Sequence, residues 1–177
     1  MLIENYLPNY HFREFHSIKI VSSSEDVYQQ MLNCDLSQSL IIRLLFRMRG
    51  IRQRLSTIND ISGLGFVKLD EKQGEEILFG MVSNRPTFSG CEIIKSPSEF
   101  IKQRSANSIK AVINFRVDKE SSLNQFVSTE TRIWCGSNKL KKRFQIYWYF
   151  VKPFSRIVRK ATLYQMKNHL SRIKHNQ

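Results

Sequence analysis

The sequence predicts an α+β fold in which a curved antiparallel sheet wraps a long C-terminal helix, with two short helices after the first strand. Three observations carry this prediction. Strand-like alternation recurs in residues 11–21, 65–82 and 109–134. Two helix-patterned stretches separate the first of these from the second. Near the C-terminus Leu140, Phe144, Tyr147, Val151, Phe154, Val158 and Ala161 are spaced four and three in turn, one face of a long helix. The 177 residues suit one domain, 1–177, with a core of about 10–172. With 41% hydrophobic and 24% charged residues, seven Gly and four Pro, the chain is globular; disordered, collagen-like and low-complexity classes are excluded.

In residues 11–21 Phe12, His16, Ile18 and Ile20 share one parity and Phe15, Ser17 and Lys19 the other, a half-buried strand. Ser22, Ser23 and Ser24 supply a turn and an N-cap, and Glu25 and Asp26 follow in the first turn, where the helix dipole favours anions. That helix runs to about Cys34. Asp35 or Ser37 caps a second helix over residues 38–49, which Gly50 stops; it is apolar nearly all round apart from Arg43, Arg47 and Arg49. Residues 65–69 and 75–82 form a hairpin across a turn at 70–74, and residues 96–100 suit a short helical turn. The two longest strands, 109–118 and 125–134, are joined by a hairpin-length link. Ser137 or Asn138 caps the final helix; Trp148, Phe150, Ile157, Tyr164 and Met166 widen its apolar face, and Pro153 inside it predicts a kink or two abutting helices.

Cys34, Cys91 and Cys135 are odd in number and contain no CxxC pair, so neither a disulfide framework nor a zinc site is expected, and the predicted compartment is the reducing cytoplasm. The first residues show no signal-peptide pattern, and the longest apolar-rich stretch, residues 40–48, is far short of the ~20 needed to span a bilayer. No cofactor is expected. Gly63-Leu64-Gly65 lacks the third glycine of a dinucleotide fingerprint, since position 68 is Lys68, and no GxxxxGK[ST], HExxH or GxSxG occurs.

Several segments resemble a known family. They are His16-Ser17-Ile18-Lys19-Ile20 followed by Glu25-Asp26-Val27-Tyr28, then Asn114-Phe115-Arg116-Val117, Ser128-Thr129-Glu130-Thr131-Arg132, and Arg143 to Trp148 continuing through Pro153 to Arg159. Together with the element order, over about residues 10–172, they resemble the helix-grip fold of the START-related, polyketide cyclase/dehydrase-like (SRPBCC) superfamily, in a bacterial branch with no agreed catalytic motif. The resemblance implies a small hydrophobic or amphipathic ligand, or a lipid, held between sheet and final helix. A minority of that family are cyclases or hydroxylase components. Where relatives carry a tryptophan-containing loop, residues 84–90 here carry Phe88.

The candidate ligand-binding residues are His16, Phe79, Asn114, Arg116, Glu130, Arg132 and Phe144; catalytic residues are not assigned and no metal ligand is expected. Alternation puts Asn114 and Arg116 on one face of their strand and Glu130 and Arg132 on one face of the next, with His16 a candidate to join them. On a concave face these charges must pair and would orient a polar ligand head; on an outer face they are a solvated cross-strand pair. Phe79, Phe115, Phe126 and Phe144 are expected to line an apolar pocket of a few hundred Å³. A cyclase/dehydratase-type enzyme using His16, Asn114 and Glu130 is the alternative.

Charge is uneven. Lys+Arg total 28 against 15 Asp+Glu, a net charge of +13. Residues 137–177 hold eleven cations and no acid, with Lys141, Lys142, Lys152, Arg156, Arg159 and Lys160 expected at the surface. A basic adaptor for an anionic membrane or polyanion is thus a third reading; with no nucleic-acid motif, at most weak, salt-sensitive contact and no specific nucleic acid are expected.

Overall fold

The structure, a computed structural model, describes residues 1–21, 27–38, 57–86, 91–92, 94, 96–121 and 124–175. The second predicted helix, the Glu25/Asp26 turn and Phe88 lie outside the described residues. The elements are α1 (Leu2–Tyr6), β1 (Phe12–Val21), α2 (Val27–Leu32), 3-10 turns at Leu36–Gln38 and Ile58–Leu64, β2 (Val67–Lys72), β3 (Glu76–Ser83), β4 (Cys91–Glu92), α3 (Pro97–Lys102), β5 (Ile109–Lys119), β6 (Asn124–Cys135) and α4 (Asn138–His175). All strand pairings are antiparallel, in the order β1-β6-β5-β3-β2 with β4 beside β3. The fold is α+β with a helix-grip-like layout, the long C-terminal helix packed against an open antiparallel sheet.

Local chemistry explains the boundaries. The β2–β3 turn is tighter than expected: Glu75 N–H donates to Lys72 O at 3.0 Å, and Gly74 takes the left-handed conformation (φ 78°) that a side chain disfavours. Ser96 caps α3, its Oγ accepting the Glu99 N–H, with Pro97 at the first helical position. Ser137 caps α4 by accepting the Leu140 N–H. Pro153 lies inside α4 without ending it, so the segment is one continuous helix rather than two abutting ones.

Both faces of the sheet are covered, which the burial of every residue of β3 makes plain. One face meets α4. Register assembles it in rows: Phe12–Ile133–Ala111–Met81, Glu14–Thr131–Ile113–Phe79 and His16–Thr129–Phe115–Ile77, running β1, β6, β5, β3. The other face is capped by α1 and α3, where Ile3, Leu7, Leu78, Val82, Phe100 and Val112 form a second core. The sequence does not predict α1. It has five residues, its N-cap Met1 makes no side-chain bond, and so it carries neither a periodic stripe nor a capping signal.

The apolar face of α4 departs from the expected one. Phe150, Phe154, Ile157 and Tyr164 are exposed, while Thr162 and Leu163 are buried; Met166 is buried as expected. Part of the cause is geometric. A four–three spacing repeats every 3.5 residues, whereas a straight helix turns every 3.6, so the stripe drifts by about 20° per heptad relative to the sheet. By mid-helix Ser155 and Arg159, not Phe154, reach the sheet, as their contacts with β1 and β6 show, while Ala161 stays packed against the core.

Candidate functional site

Register divides the sequence-predicted site residues between two faces. His16 lies opposite Thr129, so with Phe79 and Phe144 it is on the α4 side; Asn114, Glu130 and Arg132 are on the α1 side. His16 therefore meets neither Glu130 nor Asn114, and the three do not form an acid–base group. Phe115 is also on the α4 side, whereas Phe126 faces the other way, beside Lys19.

The α1-side residues Asn114, Glu130 and Arg132 help to hold the N-terminal helix. Arg132 Nε donates to Glu130 Oε1 at 2.7 Å and its Nη1 to Glu4 Oε2 at 2.8 Å, while Arg13 Nε reaches Glu130 Oε1 at 2.7 Å. Asn114 Oδ1 accepts the Glu130 N–H, its Nδ2 donates to Glu76 Oε1, and Glu76 Oε2 accepts the Leu2 N–H at 2.8 Å. Burial pushes the Glu130 carboxyl up, but hydrogen bonds from Arg13 and Arg132 outweigh it and hold it below the usual carboxylate range. The bonds that Arg132 donates to Glu4 raise Arg132 further, so both members stay charged. Arg116, paired with Asp118, sits half-exposed and takes no part. This network is a clip under α1 whose Glu130–Arg132 pair is buried and whose outer members, Arg13 and Glu4, are about half-exposed.

A different polar cluster occupies the α4 side, between two dry cores. Toward one end, Phe12, Met81, Ile133, Leu140 and Phe144 pack together; toward the other, Ile20, Phe115, Val127, Leu163 and Met166 do so. Between them, Glu14 Oε1 meets His16 Nε2 at 3.0 Å, Glu14 Oε2 accepts from Ser155 Oγ at 2.9 Å, and Arg159 Nη1 donates to Thr129 Oγ1 at 2.9 Å. Arg159 Nε stands 4.0 Å from Glu14 Oε2, beyond hydrogen-bond reach. Among the described residues, Arg159 Nε and Thr131 Oγ1 are buried without any hydrogen-bond partner. Burial pushes Arg159 down to about 10, with Glu14 opposing, so it remains a cation at neutral pH.

Helix α4 is loosest over this belt. Phe144 and Thr162 are buried, but every helix residue between them is half-buried or exposed. Each belt row also changes character across the sheet: Glu14 and Thr131 continue into buried Ile113 and Phe79, and His16 and Thr129 into buried Phe115 and Ile77. The arrangement is amphipathic, with charge, hydroxyls and an imidazole on β1, β6 and α4 and hydrocarbon on β5 and β3. It can donate hydrogen bonds to an acceptor group and cover an attached apolar chain.

Sequence reasoning found only His16 of this belt. Glu14 was legible as an acid in the parity of Phe12, Ile18 and Ile20; Thr129 and Thr131 shared the parity of Val127 and Ile133. Arg159 is the clearest correction, since it was expected at the surface and its side chain is 12% exposed. Lys141 is half-buried, not exposed. Cys34 and Cys135 are free, buried thiols pushed by burial up to about 11, which keeps them protonated and inert at neutral pH. Among the described residues no group of three or more His, Cys, Asp or Glu is arranged to hold a metal ion, and no helix is long and apolar enough to cross a membrane. Compared with known proteins, the chain matches no family model and no curated protein.

Proposed function

We propose that this protein binds a small amphipathic molecule between the sheet and α4, with a hydrogen-bond-accepting head on the Glu14–Thr131–Arg159 belt and an apolar part against Ile113, Phe115 and Phe79. The observation that carries the reading is the pair of buried, unpartnered donors, Thr131 Oγ1 and Arg159 Nε, on the half-open stretch of an otherwise dry interface. A buried polar group left unpaired costs about 1–3 kcal/mol, and an acceptor arriving with a ligand recovers it. The resemblance to SRPBCC proteins, which hold apolar ligands between sheet and C-terminal helix, supports the same location; we propose membership of that superfamily on this basis. Two buried free thiols suit a reducing compartment, and we propose a cytoplasmic protein.

Native mass spectrometry with palmitate and hexadecanol as probes tests the reading. A one-to-one palmitate adduct is expected, with hexadecanol weaker because it offers no carboxylate to the guanidinium. Arg159→Gln should weaken palmitate about tenfold or more while the protein stays folded by circular dichroism. No adduct, or one that Arg159→Gln leaves at full occupancy, would remove the assignment.

A further inference from the structure

Helix α4 has a second apolar face, directed away from the sheet. Ile146, Tyr149, Phe150, Phe154, Ile157 and Tyr164 recur at helical spacing and are exposed, Ile146, Tyr149 and Phe150 by 66%, 78% and 67%. The Tyr149 and Phe150 rings meet edge to face at 5.6 Å, so the patch is ordered against itself and not against the body of the protein. Folded monomers rarely leave contiguous large apolar side chains in water unless something docks there.

The charge beside this face says what docks. Lys142, Lys152, Arg156, Lys160 and Lys167 are all exposed, and three of them, Lys152, Arg156 and Lys160, stand four residues apart, forming a row along the border of the stripe. Residues 137–177 contain no acid, so nothing on the helix neutralises this row. A second copy of the chain docking helix to helix would bring cations to cations with no carboxylate between them. Duplex nucleic acid would accept the cations but would leave four aromatic rings and two isoleucines without a role. An anionic lipid surface satisfies both parts: head groups take the Lys/Arg row, and Tyr and Phe side chains insert at the boundary between head groups and acyl chains. No helix among the described residues is long and apolar enough to cross a bilayer, so the contact lies in the interface plane.

We infer that the outward face of α4, centred on Tyr149, Phe150 and the Lys152–Arg156–Lys160 row, is a docking surface for the anionic face of a lipid bilayer. It lies on the opposite side of the helix from the ligand belt and is independent of that proposal.

The test is co-sedimentation of the full chain with vesicles of phosphatidylcholine alone and of phosphatidylcholine with phosphatidylserine, at low and high salt. Binding is expected only to the mixed vesicles and should weaken at high salt. Removing the three cations as K152Q/R156Q/K160Q should weaken it by roughly fivefold per charge. Y149S/F150S should also abolish sedimentation while leaving the melting temperature unchanged, because both side chains are already in water. Binding that survives Y149S/F150S would reduce the surface to simple charge attraction and overturn the inference. So would an absence of vesicle binding, or a concentration-dependent dimer by light scattering that Y149S/F150S breaks.

Discussion

Glu130, Arg132 and Arg116 alternate along two neighbouring strands and look equivalent in the sequence, yet their surroundings set different costs. Glu130 and Arg132 are sealed beneath α1 and joined to Glu4 and Arg13, whereas Arg116 meets half-exposed Asp118. Glu130→Ala removes one of two carboxylates from a buried guanidinium; Glu4 remains, so the loss should be about 2–3 kcal/mol, at the low end for a broken buried pair. Arg116→Ala should cost less than about 1 kcal/mol. Urea denaturation of the two variants checks this, and equal losses would mean that α1 does not exclude water from the network. Strand alternation places these residues on one face but does not say what covers it. The cover is a five-residue helix whose sequence shows no signal of its own.

Helix α4 is held at two ends and slack between them, which predicts uneven stability along a single element. Phe144→Ala and Leu163→Ala each open a cavity in a dry cluster and should cost about 2–5 kcal/mol, whereas Val151→Ala, at a half-buried position, should cost under about 1 kcal/mol. Amide hydrogen exchange should show the same contrast, with residues 149–158 exchanging faster than residues 140–146 and 161–167. Uniform protection along the helix would contradict the half-open interface. The existence and position of this helix were legible because apolar periodicity over many turns is a strong signal. Its rotation was not. A four–three spacing read as one straight stripe buries Phe154 and exposes Arg159; the structure reverses both, and the drift between 3.5 and 3.6 residues supplies part of that turn. The long strands β5 and β6 were legible nearly to the residue, since alternation bounded by polar turns marks both ends. The faces they present followed only when register tied Thr131 to Glu14 and Thr129 to His16.

At the scale of the whole molecule, the sheet separates two different interiors. On the α1 side Glu130 and Arg132 are buried and paired with each other, with Arg13 and with Glu4 of the N-terminal helix. The α4 side keeps an amphipathic belt between two dry cores, with two donors unpaired. Under the proposed reading, an acceptor carried by a ligand satisfies those donors. Thr131→Val removes one of them without changing shape. Urea denaturation of wild type and Thr131→Val, each with and without palmitate, therefore separates a ligand-binding belt from one satisfied within the fold. The variant should be more stable than wild type without palmitate, by about 1 kcal/mol, because a buried unpaired hydroxyl is gone. It should also gain less from saturating palmitate, because one contact to the head is lost. A variant that is less stable than wild type when empty, and gains as much from palmitate, would show that Thr131 is satisfied within the fold and that the belt is not a ligand site.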